Sequence, residues 1–305
     1  MSTKNHIVKI GKRSVELTHE DKILFPKDKI TKSDLIAYYQ HIAPVMLPYM
    51  KNRAISLVRH PDGISKKGFF QKNIADYYPD WIEWVKVSKE AGFNKNVLCN
   101  NAATLVYLAN QACITFHVWL STIKKLNYPD RIVFDLDPAT DKDFNRVKKT
   151  ALELKEIIES LGLVPFAMVT GSRGMHITIP IKPEYDFDHV RAFARSVADF
   201  LVQRDPKNLT TEIRLAKRKG RIFIDVGRNA YAQTSVAPYS VRAKPGAPVA
   251  TPVMWDEVAV KKLTPNQFTI KNIFARLKKI GDPWKNIKRS ARSLDGAIKK
   301  LASLN

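Results

Sequence analysis

Cysteine is almost missing from this sequence: two occur in 305 residues, Cys99 and Cys113, each inside an apolar stretch. That scarcity excludes a disulfide scaffold and a cysteine-based zinc site, and it points to a reducing compartment. Long apolar runs are missing as well. No stretch approaches the ~20 residues of a membrane span, and the opening MSTKNHIVKIGKRS lacks the unbroken apolar segment of a secretory signal. We therefore expect a cytoplasmic protein with no membrane partner. There is no internal repeat and no low-complexity tract, which argues against a solenoid or a disordered array. Acidic residues are few: 29 Asp plus Glu stand against 51 Lys plus Arg, a formal charge of +22. A surface of one sign on that scale selects polyanions as partners, because each neutralised phosphate releases counterions before any sequence is read.

What is present is an ordinary globular composition. Apolar residues make up 45% of the chain, enough to bury a sizeable core in one large domain or two intimate ones. Two soft breaks divide the pattern: residues 126–130 (LNYPD), where turn residues cluster, and residues 243–252 (AKPGAPVATP), which can neither continue a helix nor donate a full ladder. They suggest a single domain over 1–305 with an amino-terminal module 1–126, a core 127–255 and a basic, helical carboxy-terminal tail 256–305.

In the module, Leu35, Tyr38, Tyr39, Ile42 and Met46 follow the spacing of one helix face over 31–50, with Thr31 or Ser33 placed to cap it. The core reads strand 132–136, helix 143–161, strand 164–169, turn 171–174, strand 175–181, helix 188–203 and strand 221–226. Val147, Ala151, Leu154, Ile158 and Leu161 line one face of the first helix before Gly162 ends it; Val190, Phe193, Ala194, Val197, Phe200 and Leu201 line one face of the second. Strands interleaved with helices imply an α/β or α+β sheet layered with helices.

The chemistry gathers on acids. In RIVFDLDP, strand alternation sends Ile132, Phe134 and Leu136 to one face and Val133, Asp135 and Asp137 to the other. Two carboxylates so placed repel each other, and a divalent cation is the natural reason to pair them; the plainer alternative is a strand end with two solvated acids. In GRIFIDVGRN, Arg221, Phe223 and Asp225 share a face. If that strand lies beside the first, three carboxylates can hold two metal ions ~4 Å apart, the arrangement that activates a hydroxyl and stabilises a leaving pyrophosphate. Asp225 alternatively pairs with Arg221 or Arg228.

VTGSRGMHITIPI supplies a small-residue turn, Thr170 to Gly174, followed by a strand that puts His176 with Thr178 on one face. Its glycine-turn N–H groups, Ser172, Arg173 and His176 suit phosphate oxygens, although an ordinary hairpin needs the same glycines. Lys217, Arg218 and Lys219 precede the Asp225 strand, and Arg242 follows TSVAPYSV; either cluster suits nucleotide phosphates, and a charge run also suits a solvated loop. Upstream, Phe69 and Phe70 lie among Lys66, Lys67 and Lys72. Aromatics among cations fit splayed bases stacked on rings, while strand alternation leads us to expect one phenylalanine in the core and the other on nucleic acid.

Taken together, DLDP, TGSRGMH, IFIDVGRN and SVRA resemble the polymerase domain of bacterial DNA ligase D, within the archaeo-eukaryotic primase superfamily, from LTHEDKILFP at Leu17 to GDPW near Gly281. The resemblance implies a primase-type fold whose mixed sheets form a catalytic cleft flanked by helices. It implies an enzyme that adds NTPs or dNTPs to a primer end in non-homologous end joining, with two Mn2+ or Mg2+ ions on Asp135, Asp137 and Asp225. It makes Thr170, Ser172, Arg173 and His176, with His117, Arg218 and Arg242, the nucleotide contacts. For DNA it implies Lys22 and Lys32 at a 5′-phosphate and Arg59, Phe69, Phe70 and Lys72 along the template; at His19 the family more often has asparagine. The K-x-D-G of a nucleotide-transferring ligase is missing, the nearest string being Ser293-Leu294-Asp295-Gly296. The implied partners are a separate or fused ATP-dependent ligase and a Ku-like end-binding protein. Other readings of the same residues are an enzyme that initiates primers, a non-catalytic DNA-end binding module, and, last, a manganese-dependent glycosyltransferase, which leaves the charge and Asp225 unexplained.

Overall fold

Thr31 begins the long amino-terminal helix, Lys32–Met50, in the computed structural model, which describes residues 5–140 and 143–303. Its hydroxyl accepts the Asp34 N–H at 3.2 Å while the Asp34 carboxylate accepts the Thr31 N–H at 2.8 Å. This reciprocal cap satisfies two donors that a helix start leaves over. Leu35, Tyr38, Tyr39, Ile42 and Met46 are buried, as their spacing requires. The two marked core helices form as Phe144–Ser160, after which Gly162 takes φ +84°, and Phe187–Arg204, capped by the Asp186 carboxylate on the His189 N–H.

By its contacts the chain divides into two compact units. One takes Met1–Trp119, Val236–Ala250 and Phe268–Arg276; the other takes Leu120–Ser235, Thr251–Gln267 and Leu277–Asn305. Each thus collects segments that return from the last third of the chain, a return that no local pattern marks.

In the first unit the strand Ile55–Arg59 pairs antiparallel with Phe69–Gln71 on one side and Cys113–Trp119 on the other. The helix Lys32–Met50 packs on the helix Ala102–Asn110. Buried hydrogen bonds draw the segment 237–241 onto the Cys113–Trp119 strand: Ser240 Oγ accepts from Phe116 N at 2.8 Å, and Thr115 Oγ1 donates to the Val241 carbonyl at 2.7 Å. Cys99 and Cys113 are free and buried, and burial pushes both thiols well above their usual range. They are inert core residues, as their apolar flanks suggest.

In the second unit six strands run in the order Leu209–Thr210, Ile222–Asp225, Arg131–Asp137, Met175–Pro180, Phe166–Val169, Thr251–Val253. Only the first pair is parallel. Both helices pack against these strands, giving the mixed α/β architecture expected. The segment beyond 276 is more than a tail. Trp284 is buried with its indole N–H on the Ala167 carbonyl at 3.0 Å, and Lys182 N donates to Arg292 O at 2.8 Å. Leu294, Ala297 and Leu301 are buried in the same unit. Among the described residues no helix is long and apolar enough to cross a membrane.

Candidate active site

The second unit's sheet sets the acids. The Arg131–Asp137 strand is flanked on both sides, and its register places Asp135 directly across from His176 on one neighbour and from Asp225 on the other. Residues directly opposite share a face, so a row His176, Asp135, Asp225 crosses three strands. Asp137, two residues on, stands on that same face opposite Phe223. Adjacency of the two strands was the condition on which the three-acid reading depended, and the register meets it.

An imidazole and a guanidinium lie against these carboxylates. His176 Nε2 lies 3.3 Å from Asp135 Oδ1, while Arg228 Nε lies 3.6 Å from Asp135 Oδ2 and 3.8 Å from Asp225 Oδ2. Of the two arginines weighed as partners for Asp225, Arg228 is therefore the one that reaches it; Arg221 instead donates to the Arg218 and Lys217 carbonyls. Asp225 Oδ1 also accepts the Gly227 N–H at 2.7 Å. Burial, and then the Asp135 charge, pushes the Asp137 carboxyl up to about 6, with Arg173, His176 and Arg218 pulling the other way. The Arg218 guanidinium sits 3.8 Å over the Phe223 ring and donates to the Glu212 and Ile213 carbonyls.

Three carboxylates on one face form the hard oxygen donor set that Mg2+ or Mn2+ takes, and Asp137, whose charge burial and then Asp135 disfavour, is an acid that a cation would stabilise in its ionised form. In donor chemistry the residues fit such ions. As the side chains stand, however, no three His, Cys, Asp or Glu among the described residues form a ready-made cage.

The turn after the Phe166–Val169 strand is built as a cradle edge. Thr170 donates to the Gly174 carbonyl from both its N–H and its hydroxyl, at 3.1 Å each. Its hydroxyl thus holds the turn, while Ser172 is half-buried and Arg173 exposed. His176 Nδ1 is buried without a hydrogen-bond partner among the described residues, a polar atom whose desolvation asks for a ligand or water.

Asn229 escaped the sequence reading. Where the Ile222–Asp225 strand stops, its side chain replaces the missing strand: Oδ1 accepts the Val133 N–H and Nδ2 donates to the Val133 carbonyl, both at 2.8 Å. This holds the Asp135 strand where its ladder would otherwise lapse. The available signal was its spacing from Asp225 in IDVGRN, which places Arg228 and Asn229 one turn after the acid.

The remaining expected residues lie in the first unit. His117 is on the Cys113–Trp119 strand, with its ring 5.5 Å from that of Phe70, and Arg242 follows the segment bonded to that strand. Phe69 and Phe70 are 46% and 63% exposed, so the expectation that one of them enters the core is wrong. Their three-residue strand lies at the sheet edge, and the neighbours shown against the rings are polar ones, Arg59 at Phe69 and His117 at Phe70. Arg59 lies over the Phe69 ring at 5.5 Å and is held by the Gln111 carbonyl, Gln71 and Tyr77. Lys72 is exposed.

Lys22 is exposed and paired with Asp62 at 3.1 Å, whereas Lys32 is buried, its ammonium donating to Thr18 Oγ1 at 3.2 Å and the Asn110 carbonyl at 3.0 Å. Burial lowers Lys32 to about 8, and the Lys22 charge adds to that. His19, where the family more often has asparagine, takes φ +47°, a left-handed conformation in which asparagine and histidine are both enriched.

The Lys32 shift has a consequence for stability. Between pH 8 and the unfolded value near 10.5 the unfolded chain holds the proton that the folded one has lost, so stability rises with pH across that window. The expected rise is on the order of 1–3 kcal/mol. It should flatten in Lys32→Met; equal slopes for both proteins in urea titrations at pH 7.5 and 10 would refute it.

A family model described as LigD, primase-polymerase domain, matches residues 31–284. The bifunctional non-homologous end joining protein LigD of Bacillus subtilis is 36% identical over 271 residues, which are 88% of this chain and 43% of that protein. The multifunctional non-homologous end joining protein LigD of Mycolicibacterium smegmatis is 32% identical over 270 residues, 88% of this chain and 35% of that protein. This chain therefore spans less than half the length of either relative. The solved polymerase domain from Mycobacterium tuberculosis ligase D in complex with DNA matches with a TM-score of 0.84 at 28% identity, over 91% of this chain and 99% of that one.

Proposed function

The chain belongs to the LigD primase-polymerase domain family, a family of nucleotidyltransferase polymerases, and from that premise we propose that it extends primer 3′-hydroxyls at gaps and broken DNA ends during non-homologous end joining. The observation that carries the reading is the register that sets Asp135 against Asp225, with Asp137 on the same face among Arg173, His176 and Arg218.

In this reading Asp135, Asp137 and Asp225 hold Mn2+ or Mg2+. Bound there, such ions lower the pKa of an attacking hydroxyl and neutralise charge on the departing pyrophosphate. The residues of the chain do the positioning. Ser172, Arg173 and His176 hold the triphosphate from the turn, with Arg218 beside Asp137 as a further cation and Thr170 fixing the turn itself. In the first unit, His117 and Arg242 are candidate nucleotide contacts. Arg228 steadies Asp135 and Asp225 until nucleotide and metal arrive. Phe69 and Phe70 offer exposed rings to template bases, with Arg59 and Lys72 along the backbone.

Lys22 and Lys32 hold a 5′-phosphate across the gap; because Lys32 loses its charge above about pH 8, that preference weakens as pH rises. The DNA partner is a 5′-phosphorylated gap or break, and the cytoplasm is the compartment. A separate or fused ATP-dependent ligase seals the product, and a Ku-like protein brings the ends.

The test is extension of a labelled primer facing a short gap with and without a 5′-phosphate, in manganese or magnesium, with each of the eight ribo- and deoxyribonucleoside triphosphates. Intact protein should extend, Asp135→Ala should not, and a Lys22→Ala/Lys32→Ala double variant should extend without regard to the 5′-phosphate. No extension by intact protein that still binds the DNA would replace this function with passive end binding. An undiminished phosphate preference in the double variant would move the phosphate pocket elsewhere.

A further inference from the structure

The Arg131–Asp137 strand carries its aspartates at one end, and at the other, ~20 Å away by strand rise, the same unit opens into a cavity of about 420 Å³. The floor of this cavity is apolar. Half-buried Pro183 and Ala291 line it, with the buried Pro180, Ile181 and Ile287 closing it from beneath. The rim is cationic: Lys124, Lys125, Lys182 and Lys288 are all exposed. The one acid that lines the cavity, Asp130, is neutralised by Arg131, whose Nε lies 3.2 Å away. Two hydrogen bonds tie the segments of the wall together. Lys182 N donates to Arg292 O at 2.8 Å, and Lys125 Nζ donates to the Pro183 carbonyl at 3.1 Å.

We propose that this cavity is a docking site for an acidic peptide segment of a partner protein, with one apolar anchor side chain on the floor at Pro183 and Ala291 and flanking carboxylates on the four lysines. Charge complementarity chooses the acid, and the floor chooses the peptide. A nucleic-acid strand would use the lysines and leave the floor empty, because the cavity has no aromatic ring on which a base can stack. A peptide anchor uses both, since burying an aliphatic or aromatic side chain in a dry pocket is the usual source of affinity in such contacts. A neighbouring depression of about 400 Å³ shares Lys124, Lys125 and Pro183 but adds the exposed Tyr128 and Glu184, so the docking site is confined to the first cavity. The site lies away from the aspartates, so it holds whether or not the polymerase reading does.

The experiment is fluorescence anisotropy of a fluorescein-labelled decapeptide of Asp and Glu around a central Phe-Leu pair, titrated with the intact chain. We expect saturable binding. It should weaken about tenfold or more in Lys182→Glu/Lys288→Glu and with a peptide carrying Ser-Ser in place of Phe-Leu, but not in a Lys9→Glu/Lys12→Glu control in the other unit. If the double variant fails to fold, Lys124→Glu alone gives the same readout. Equal binding of the Ser-Ser peptide would reduce the effect to general attraction by the +22 surface and overturn the proposal. So would unchanged binding in Lys182→Glu/Lys288→Glu. The proposal also fails if an oligothymidylate of equal charge binds as tightly and weakens in the same variant, because the site is then a nucleic-acid one.

Discussion

Asp137→Ala should lower primer extension by about a thousandfold or more, while affinity for a gapped duplex stays within about twofold of wild type. The carboxyl sits at the open end of its strand, on the face shared by Asp135 and Asp225, and its pKa is already pushed up to about 6 by burial and by Asp135. In the proposed metal role its loss should remove a ligand while taking away no group that the strand needs for folding. The stability of the variant should accordingly rise. In the folded state the acid is harder to ionise than in the unfolded one, so above pH 6 its charge opposes folding. Removal should recover on the order of 1 kcal/mol in a urea titration at pH 7.5. Single-turnover extension beside a binding titration separates the two effects. Extension within tenfold of wild type would sink the three-aspartate centre, and a fall in both activity and stability would make Asp137 a structural acid.

Gly174→Ala should cost about 2–4 kcal/mol of stability and reduce extension about a hundredfold in the protein that remains folded. A Cβ at Gly174 would lie 2.2 Å from the Leu136 carbonyl oxygen, 3.2 Å from its carbon and 3.6 Å from the Asp137 Cα. All three are backbone atoms of the aspartate strand, so no side chain can swing away. The turn must lift instead, which strains the two Thr170 bonds to the Gly174 carbonyl and displaces Arg173 and His176 from the acids. Gly296 supplies the control: a Cβ there meets nothing within 4 Å, and Gly296→Ala should leave both stability and extension unchanged or slightly improved. Chemical unfolding of the two variants decides the matter. A Gly174→Ala protein within about 0.5 kcal/mol of wild type would show that the turn does not need so close an approach.

The sequence by itself determined whatever is periodic and local. Leu35 to Met46 fixed a buried helix face, Thr31 its start, and the alternation in RIVFDLDP put Asp135 and Asp137 together on one side of a strand. These follow from geometry within a few residues, where side-chain direction repeats every 3.6 or 2 positions whatever the rest of the chain does. The motif order from DLDP to SVRA likewise identified the family, because flanks and spacing are properties of the chain alone.

Only the tertiary structure decided what depends on distant segments meeting. Asp225 stands beside Asp135 because two strands 90 positions apart in numbering pair in one register, Asp135 with Asp225. A shift of one residue would have turned the acids to opposite faces. Arg228 and Asn229 became site residues by the same pairing, which brings one to two carboxylates and the other to the end of a ladder. Lys32 is buried, since its surroundings come from Thr18 and from Asn110, 78 positions away. Phe69 and Phe70 are both exposed although strand alternation sends them to opposite faces, a matter of what packs over each face rather than of local pattern. Burial and pairing are sums over neighbours that the chain brings from elsewhere, and no local pattern contains them.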